Sequence, residues 1–180
     1  MPGTLQVGGN TVITHTGDAG AGTNTINNAV VFPAGHIVQT VFNTHSAESS
    51  FTTTTPTAVA NLTKPITLKT DNPYVLVKLA INSMGVVNGN SAIVTRITAN
   101  DNGSLEVILS DMTAYNNGTA HNFFPGNQSY LHNLTNNAAG TTLTYTPKFN
   151  LSSQVGTGYI NPSSGSGLKY SQIILMEIQK

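Results

Sequence analysis

Val31-Phe32-Pro33-Ala34-Gly35-His36-Ile37-Val38-Gln39-Thr40-Val41-Phe42 is the stretch that divides this chain. Phe32, Pro33, Gly35 and His36 read as a hinge. Pro33 fixes its own φ and has no N–H to donate, and Gly35 reaches backbone angles closed to other residues, so the pair stops one β element and aims the next. From His36 the chain restarts as a strand dense in β-branched and aromatic side chains. The division is therefore a short N-terminal arm or stem, residues 1–33, followed by a head domain, residues 34–180.

The arm holds Leu5-Gln6-Val7 and Val12-Ile13, separated by Gly8-Gly9-Asn10, then flexible Ala19-Gly20-Ala21-Gly22 and a last segment from Asn24 to Val31. These strands are too short to enclose a core, and isolated hairpins are marginal in water. Gly, Asn and Thr would also give a disordered arm. The recurring Leu, Val and Ile positions favour an intertwined stem or docking arm, in which copies wound about a common axis bury them.

Downstream the pattern is all β. Residues 37–44 form one strand, and residues 49–55 another whose Thr run suits an exposed edge, interrupted by Pro56. Ile66-Thr67-Leu68-Lys69-Thr70 alternates and runs into the turn Asp71-Asn72-Pro73. Tyr74-Val75-Leu76-Val77-Lys78-Leu79-Ala80-Ile81 is the most hydrophobic strand and belongs at the centre of a sheet. Residues 92–98 and 105–109 flank Asp101-Asn102-Gly103-Ser104, a hairpin turn signal. Residues 110–140 mix aromatics and amides with Gly118, Pro125 and Gly126, which predicts long loops around short strands near 122–124 and 129–134. Alternation returns over residues 141–149 until Pro147 breaks it, and residues 156–167 read as an exposed loop. The closing run Ile173-Ile174-Leu175-Met176-Glu177-Ile178 is apolar on both faces, the signature of a strand interior to a sheet. The fold expected is a jelly-roll-like antiparallel β-sandwich preceded by the arm or stem.

Composition narrows the function. Charged residues are 8% of the chain, the formal net charge is zero and there is no Lys/Arg run, which excludes the electrostatic footprint of a nucleic-acid binder and a polybasic membrane anchor. The first residues lack the basic and apolar regions of a signal peptide, and no apolar run is long enough to insert in a membrane. Without cysteine there is no thiol chemistry and no Cys-ligated zinc. A surface so poor in charge invites pairing at uncovered strand edges, which points to a homo-oligomer.

Chemistry is sparse. Asp18, Asp71, Asp101 and Asp111 stand near predicted turns, where Asp serves local backbone bonding. Glu106 and Glu177 fall within strands and read as solvent-facing or satisfied by a neighbour rather than as a catalytic pair. His15, His36, His45, His121 and His132 never form a metal-ligand spacing, Gly165-Ser166-Gly167 is no nucleophile elbow, and residues 17–22 lack the Lys of a phosphate loop. No enzyme activity, metal or cofactor is expected. One cluster mixes flat rings with amides and imidazoles, as a sugar's apolar face and hydroxyl rim require: Tyr115, Asn117, His121, Asn122, Tyr130 and His132 are the candidate glycan-binding residues. The plainer alternative makes its aromatics core and its amides turn-formers.

The run from Phe32 to Val41, the strand Tyr74-Val75-Leu76-Val77 and the terminal Ile173-Ile174-Leu175-Met176-Glu177-Ile178 together resemble the fibre-type virion proteins of tailed bacteriophages. In those proteins a sandwich opens with a Gly-x-Ile-Val-Gln strand and closes on Met-Glu-Ile. The resemblance spans roughly residues 32–180 and is carried by those three pieces. It implies a non-enzymatic homotrimer on the phage particle, made in the host cytoplasm, with residues 1–31 contacting other virion proteins. A tail fibre or receptor-binding tip, with a host cell-surface glycan as ligand, is the first expectation. A capsid-decorating, cement or head-fibre protein is the alternative, and a polysaccharide depolymerase the third.

Overall fold

A computed structural model describes residues 3–7, 10–17, 23–26, 33–87, 89–101, 105–118, 122–163 and 170–180. Upstream of the hinge, β1 (Gly3–Val7), β2 (Asn10–Thr16) and β3 (Thr23–Ile26) make a three-stranded antiparallel sheet. Its register sets Leu5, Ile13 and Ile26 abreast in one cross-strand row, beside a row of Thr4, Thr14 and Thr25. Leu5 is 56% exposed. Val12 and Ile13 are only half-buried, and among the described residues no strand of the head packs along this sheet.

The hinge is a tight turn. His36 N–H donates to the Pro33 carbonyl at 3.1 Å, and Gly35 between them has φ +83°. That left-handed angle is what the third position of a type II turn demands, and glycine meets it without strain. Two further bonds fasten the turn to the far end of the chain: Gly35 N–H to Gln179 O at 2.8 Å, and Gln179 N–H to His36 O at 2.9 Å. Phe32 lies outside the described residues.

The head continues with β4 (Ile37–His45), β5 (Ser49–Phe51), β6 (Thr57–Ala58), a 3-10 turn (Ala60–Leu62), β7 (Lys64–Thr67) and β8 (Tyr74–Val87). After these come β9 (Gly89–Asp101), β10 (Leu105–Gly118), β11 (Asn122–Asn133), β12 (Thr142–Leu151), β13 (Thr157–Ile160) and β14 (Ser171–Ile178). All pairings are antiparallel. In the six-stranded sheet β14 lies between β4 and β8, β13 follows β14 along the same flank of β8 and carries β5, and β11 takes the other flank. In the five-stranded sheet the order is β10-β9-β12-β6, with β7 also on β12.

The sheets enclose one core. Val75, Val77, Ile173 and Leu175 from one sheet meet Ile93, Ile97, Tyr145 and Phe149 from the other, and Leu62, Leu68 and Leu134 close its margins. Strict alternation produces this: along β14 every second side chain is buried, from Ser171 to Glu177. As its composition predicts, β8 is central, flanked by β14 and β11.

Three expectations are corrected. Residues 110–140 are not long loops, for β10 runs to Gly118 and β11 is continuous over 12 residues. Among the described residues each pairs along one flank only, and on an edge strand polar residues replace the apolar ones that make a strand legible. Pro125 is absorbed where the β11 register shifts between Phe124 and Gly126, since a bulge needs no ladder donor there. Pro147 does not break β12. It pairs with Ile97 of β9, and its other flank falls between the stretches held by β7 and β6, so the missing N–H leaves no ladder bond unmade. Within residues 156–167, Thr157–Ile160 form strand β13, whose Gly158 lies against the Phe51 ring.

Candidate functional site

The six candidate glycan residues fall into two places. Register pairs Tyr115 with Ala92 and Asn117 with Asn90 on β9, and Asn122 with Val86 on β8. These three therefore lie at the end of the sandwich where β8 passes to β9. His121 is outside the described residues. Tyr130 and His132 pair with Val77 and Val75 at the opposite end of β8. Asn122 and Tyr130 are eight steps apart along the strand, about 26 Å at the usual rise. A single monosaccharide cannot bridge them.

Tyr130 and His132 belong to an aromatic chain leading inward. His132 Nδ1 lies 2.9 Å from Tyr145 Oη, its ring meets the Tyr145 ring edge-on at 5.9 Å, and Tyr130 packs on His132 at 6.3 Å. Tyr145 is fully buried in the core. Its hydroxyl needs a partner there, and the half-buried His132 supplies one, as buried tyrosines require. Tyr130, 38% exposed, is the member of this chain that meets solvent.

A second place was not anticipated from the residues. At the end of β4, His45 Nε2 is 2.9 Å from Ser49 Oγ, beside a cleft of about 350 Å³ lined by His45, Ser49, Phe51, Thr57, Val59 and Asn61. A histidine nitrogen at hydrogen-bond distance from a serine hydroxyl is the first requirement of an activated nucleophile. The second requirement is a group that orients the imidazole, and among the described residues buried Nδ1 has no hydrogen-bond partner. A donor stranded without an acceptor costs more than an idle lone pair, so the proton belongs on Nε2 and points at Ser49 Oγ. In that tautomer the serine accepts a hydrogen bond and is not activated. Burial also pushes the His45 imidazole below its ordinary value, favouring the neutral ring. The pair is a structural contact that closes the β4–β5 corner.

The neighbouring Asn161 explains why this corner is rigid. It is fully buried at φ +52°, a left-handed angle that asparagine tolerates. Its amide donates to His45 O at 2.8 Å, its Oδ1 accepts from Ser171 Oγ at 2.8 Å, and its backbone N–H donates to Ser83 O at 2.9 Å. One side chain and its peptide thus join β4, β8 and β14. The -His-x-x-x-Ser- spacing at 45 and 49 was visible in the chain. What brings Asn161 to it is tertiary.

Glu177 is buried rather than solvent-facing, so the other expectation, satisfaction by a neighbour, describes it. Its carboxylate accepts N–H bonds from Lys69 at 2.9 Å and Thr70 at 2.8 Å, the Thr70 hydroxyl at 2.7 Å, and the Gln39 amide. Each oxygen is occupied by donors of the fold itself, which leaves no free carboxylate edge for acid–base work. Among the described residues, no group of three or more His, Asp or Glu side chains lies close enough to hold a metal.

A second groove, also about 350 Å³, runs over the outward face of the six-stranded sheet between Lys78, Asn127, Ser129, Gln172 and Ile174. Its amides, hydroxyl and ammonium are rim groups around aliphatic surface. Such a lining offers a bound surface shape and hydrogen bonding. No family model matches this chain, and no curated protein matches it.

Proposed function

We propose that this chain is a structural virion protein of a tailed bacteriophage: a homotrimer whose residues 1–31 attach to the particle or form a short stem, and whose head is carried outward as a tail fibre or receptor-binding tip. The observation that carries the reading is the N-terminal sheet. Its register sets Leu5, Ile13 and Ile26 at paired positions, among the described residues no strand of the head packs along it, and Leu5 stands 56% exposed. A sheet so small needs another layer on its apolar side to be stable, and identical sheets about an axis supply one to each other. The fastening of the hinge turn to Gln179 supports a head that departs from the stem at a fixed point.

The jelly-roll reading belongs to this proposal. The orders β4-β14-β8-β11 and β7-β12-β9-β10 interleave early and late strands in both sheets, the arrangement two Greek keys give when folded together. That architecture is a presenting scaffold, and the activity proposed for it is binding rather than catalysis.

A capsid-decorating or cement role is the second reading. The separation of Tyr115, Asn117 and Asn122 from Tyr130 and His132 favours it, because a cement protein needs no compact glycan site. Gold-labelled antibody on intact particles separates the two. Label at the tail tip, with adsorption to host cells lowered by Tyr130→Ala, supports the receptor-binding reading; label over the shell with unchanged adsorption supports the cement reading. Particles that carry no label refute both.

A further inference from the structure

We propose that the outward face of the β4-β14-β8-β11 sheet is an interface with a second copy of this chain. The inference deepens the self-assembling reading above and rests on it. The register sets Met176, Leu76 and Leu131 abreast in one cross-strand row, with Phe42 beside Ile174 in the next row and Ile37 beside Ile178 on the other side. Their neighbours Ile173, Leu175, Val75 and Val77 point into the core, so this row and its flanks point away from it. Phe42 is 57% exposed, Ile37 50% and Leu131 48%. The rest of the set is half-buried.

An antiparallel sandwich normally alternates apolar inward and polar outward. Here β14 is apolar on both sides, yet within one chain only one of its faces is covered. Four strands about 4.8 Å apart, over about eight residues of about 3.3 Å, give a face of roughly 500 Å². The apolar side chains take up about half of that face, a patch of the few hundred Å² that on a protein surface is often functional. Two such faces brought together approach the roughly 1,000 Å² that a specific interface must clear.

A second copy is the occupant that fits. The chain has no net charge, and in the described rows of this face the ionic groups are two ammonium groups, Lys78 beside Ile174 and Lys180 over the Tyr74 ring at 5.0 Å, one on each side of the Met176, Leu76 and Leu131 row. With these ammonium groups to either side of the apolar row, the face has the apolar centre and polar rim of a protein interface. Among the described residues of these rows, a basic partner would find no carboxylate to pair with and an acidic one only those two ammonium groups.

The test is the mass of the full-length chain in solution by sedimentation, for the wild type and for Phe42→Glu with Leu131→Glu, both at exposed positions that leave the core untouched. A wild-type multimer that falls to the 18.8 kDa of one chain in the double variant, with an unchanged β-sheet circular dichroism spectrum, supports the inference. A multimer that survives both substitutions overturns this face while leaving self-assembly through the N-terminal sheet in place. A wild-type monomer overturns both.

Should the charged variant fail to fold, the absence of cysteine offers a second measurement. Thr40→Cys, which pairs with Met176 on this face, is compared with Thr54→Cys, exposed in the loop after β5. In the assembled protein a maleimide should reach residue 40 at least about tenfold more slowly than residue 54, because an interface centre excludes water and reagent. Equal rates overturn the proposal.

Discussion

Replacing Glu177 by Ala should be the most damaging single truncation of a polar side chain in this head. Glu177 sits in the middle strand of three, paired with Gln39 of β4 and Val75 of β8, and its carboxylate gathers the N–H groups of Lys69 and Thr70, the Thr70 hydroxyl and the Gln39 amide. The turn after β7 is thereby pinned to the last strand. Removing the acceptor strands four donors at once, each worth about 1.5–3 kcal/mol when bonded to a charged group. Water will recover part of that, because Lys69 is exposed and Thr70 half-buried, so the expected loss is about 2–4 kcal/mol rather than the full sum. For a chain of this size that is a fall in Tm of roughly 5–15 °C.

The assay is urea unfolding followed by circular dichroism, at one fixed chain concentration because assembly shifts apparent stability by mass action. The midpoint should fall with little change in slope, since the surface exposed on unfolding is nearly the same. Glu177→Gln should lie between the two, since its oxygen keeps some of these bonds while its NH₂ faces donors. A midpoint for Glu177→Ala that translates to less than about 0.5 kcal/mol would refute the reasoning, because a surface substitution away from any network costs that little.

Two further outcomes follow from the β4–β5 corner. Burial lowers the His45 pKa, so the unfolded chain takes up that proton before the folded one does. This contribution is complete above about pH 6.5 and is lost as pH falls through that value toward the folded pKa, with a slope of at most about 1.4 kcal/mol per pH unit. Urea midpoints measured from pH 7.5 to 5 should therefore fall more steeply for the wild type than for His45→Gln; parallel curves would contradict it. Gly158→Ala would push a methyl into the Phe51 ring, whose Cζ would lie 2.7 Å from it, while that ring also packs on Phe149 at 6.4 Å. A loss of about 1–3 kcal/mol is expected, partly recovered in combination with Phe51→Leu, and absence of any loss would show that the ring is free to move.

Much of the fold is legible in the chain because the buried strands carry its clearest pattern. Tyr74 to Ile81 announces a central strand, and the closing run from Ile173 to Ile178 an interior one, for their apolar residues recur at every second position and on both sides. The edge strands are hidden for the converse reason. Among the described side chains of β11 the buried positions are Gly126 and Gln128, while Tyr130 and Leu131 are exposed along with Asn127 and Ser129, so burial no longer tracks hydrophobicity. Pro125 and Pro147 look like breaks until the register shows that each stands where no ladder bond is required.

The candidate site was less legible. Proximity in sequence groups Tyr115 to His132, but a strand carries residues apart at about 3.3 Å each, and Asn122 and Tyr130 reach opposite ends of one sheet. Conversely Gln39, Lys69, Thr70 and Glu177 are scattered along the chain and meet at one carboxylate.

Composition and alternation by themselves fix an all-β chain with antiparallel potential, little charge and no thiol, because those properties depend on residue type and on a period of two. Which strands become neighbours is decided only when β14 inserts between β4 and β8, a pairing across most of the chain's length that no local pattern encodes. That long-range closure spends one face of β14 on the core and turns Ile174, Met176 and Ile178 outward. The sheet's unspent apolar face is therefore a product of the tertiary structure.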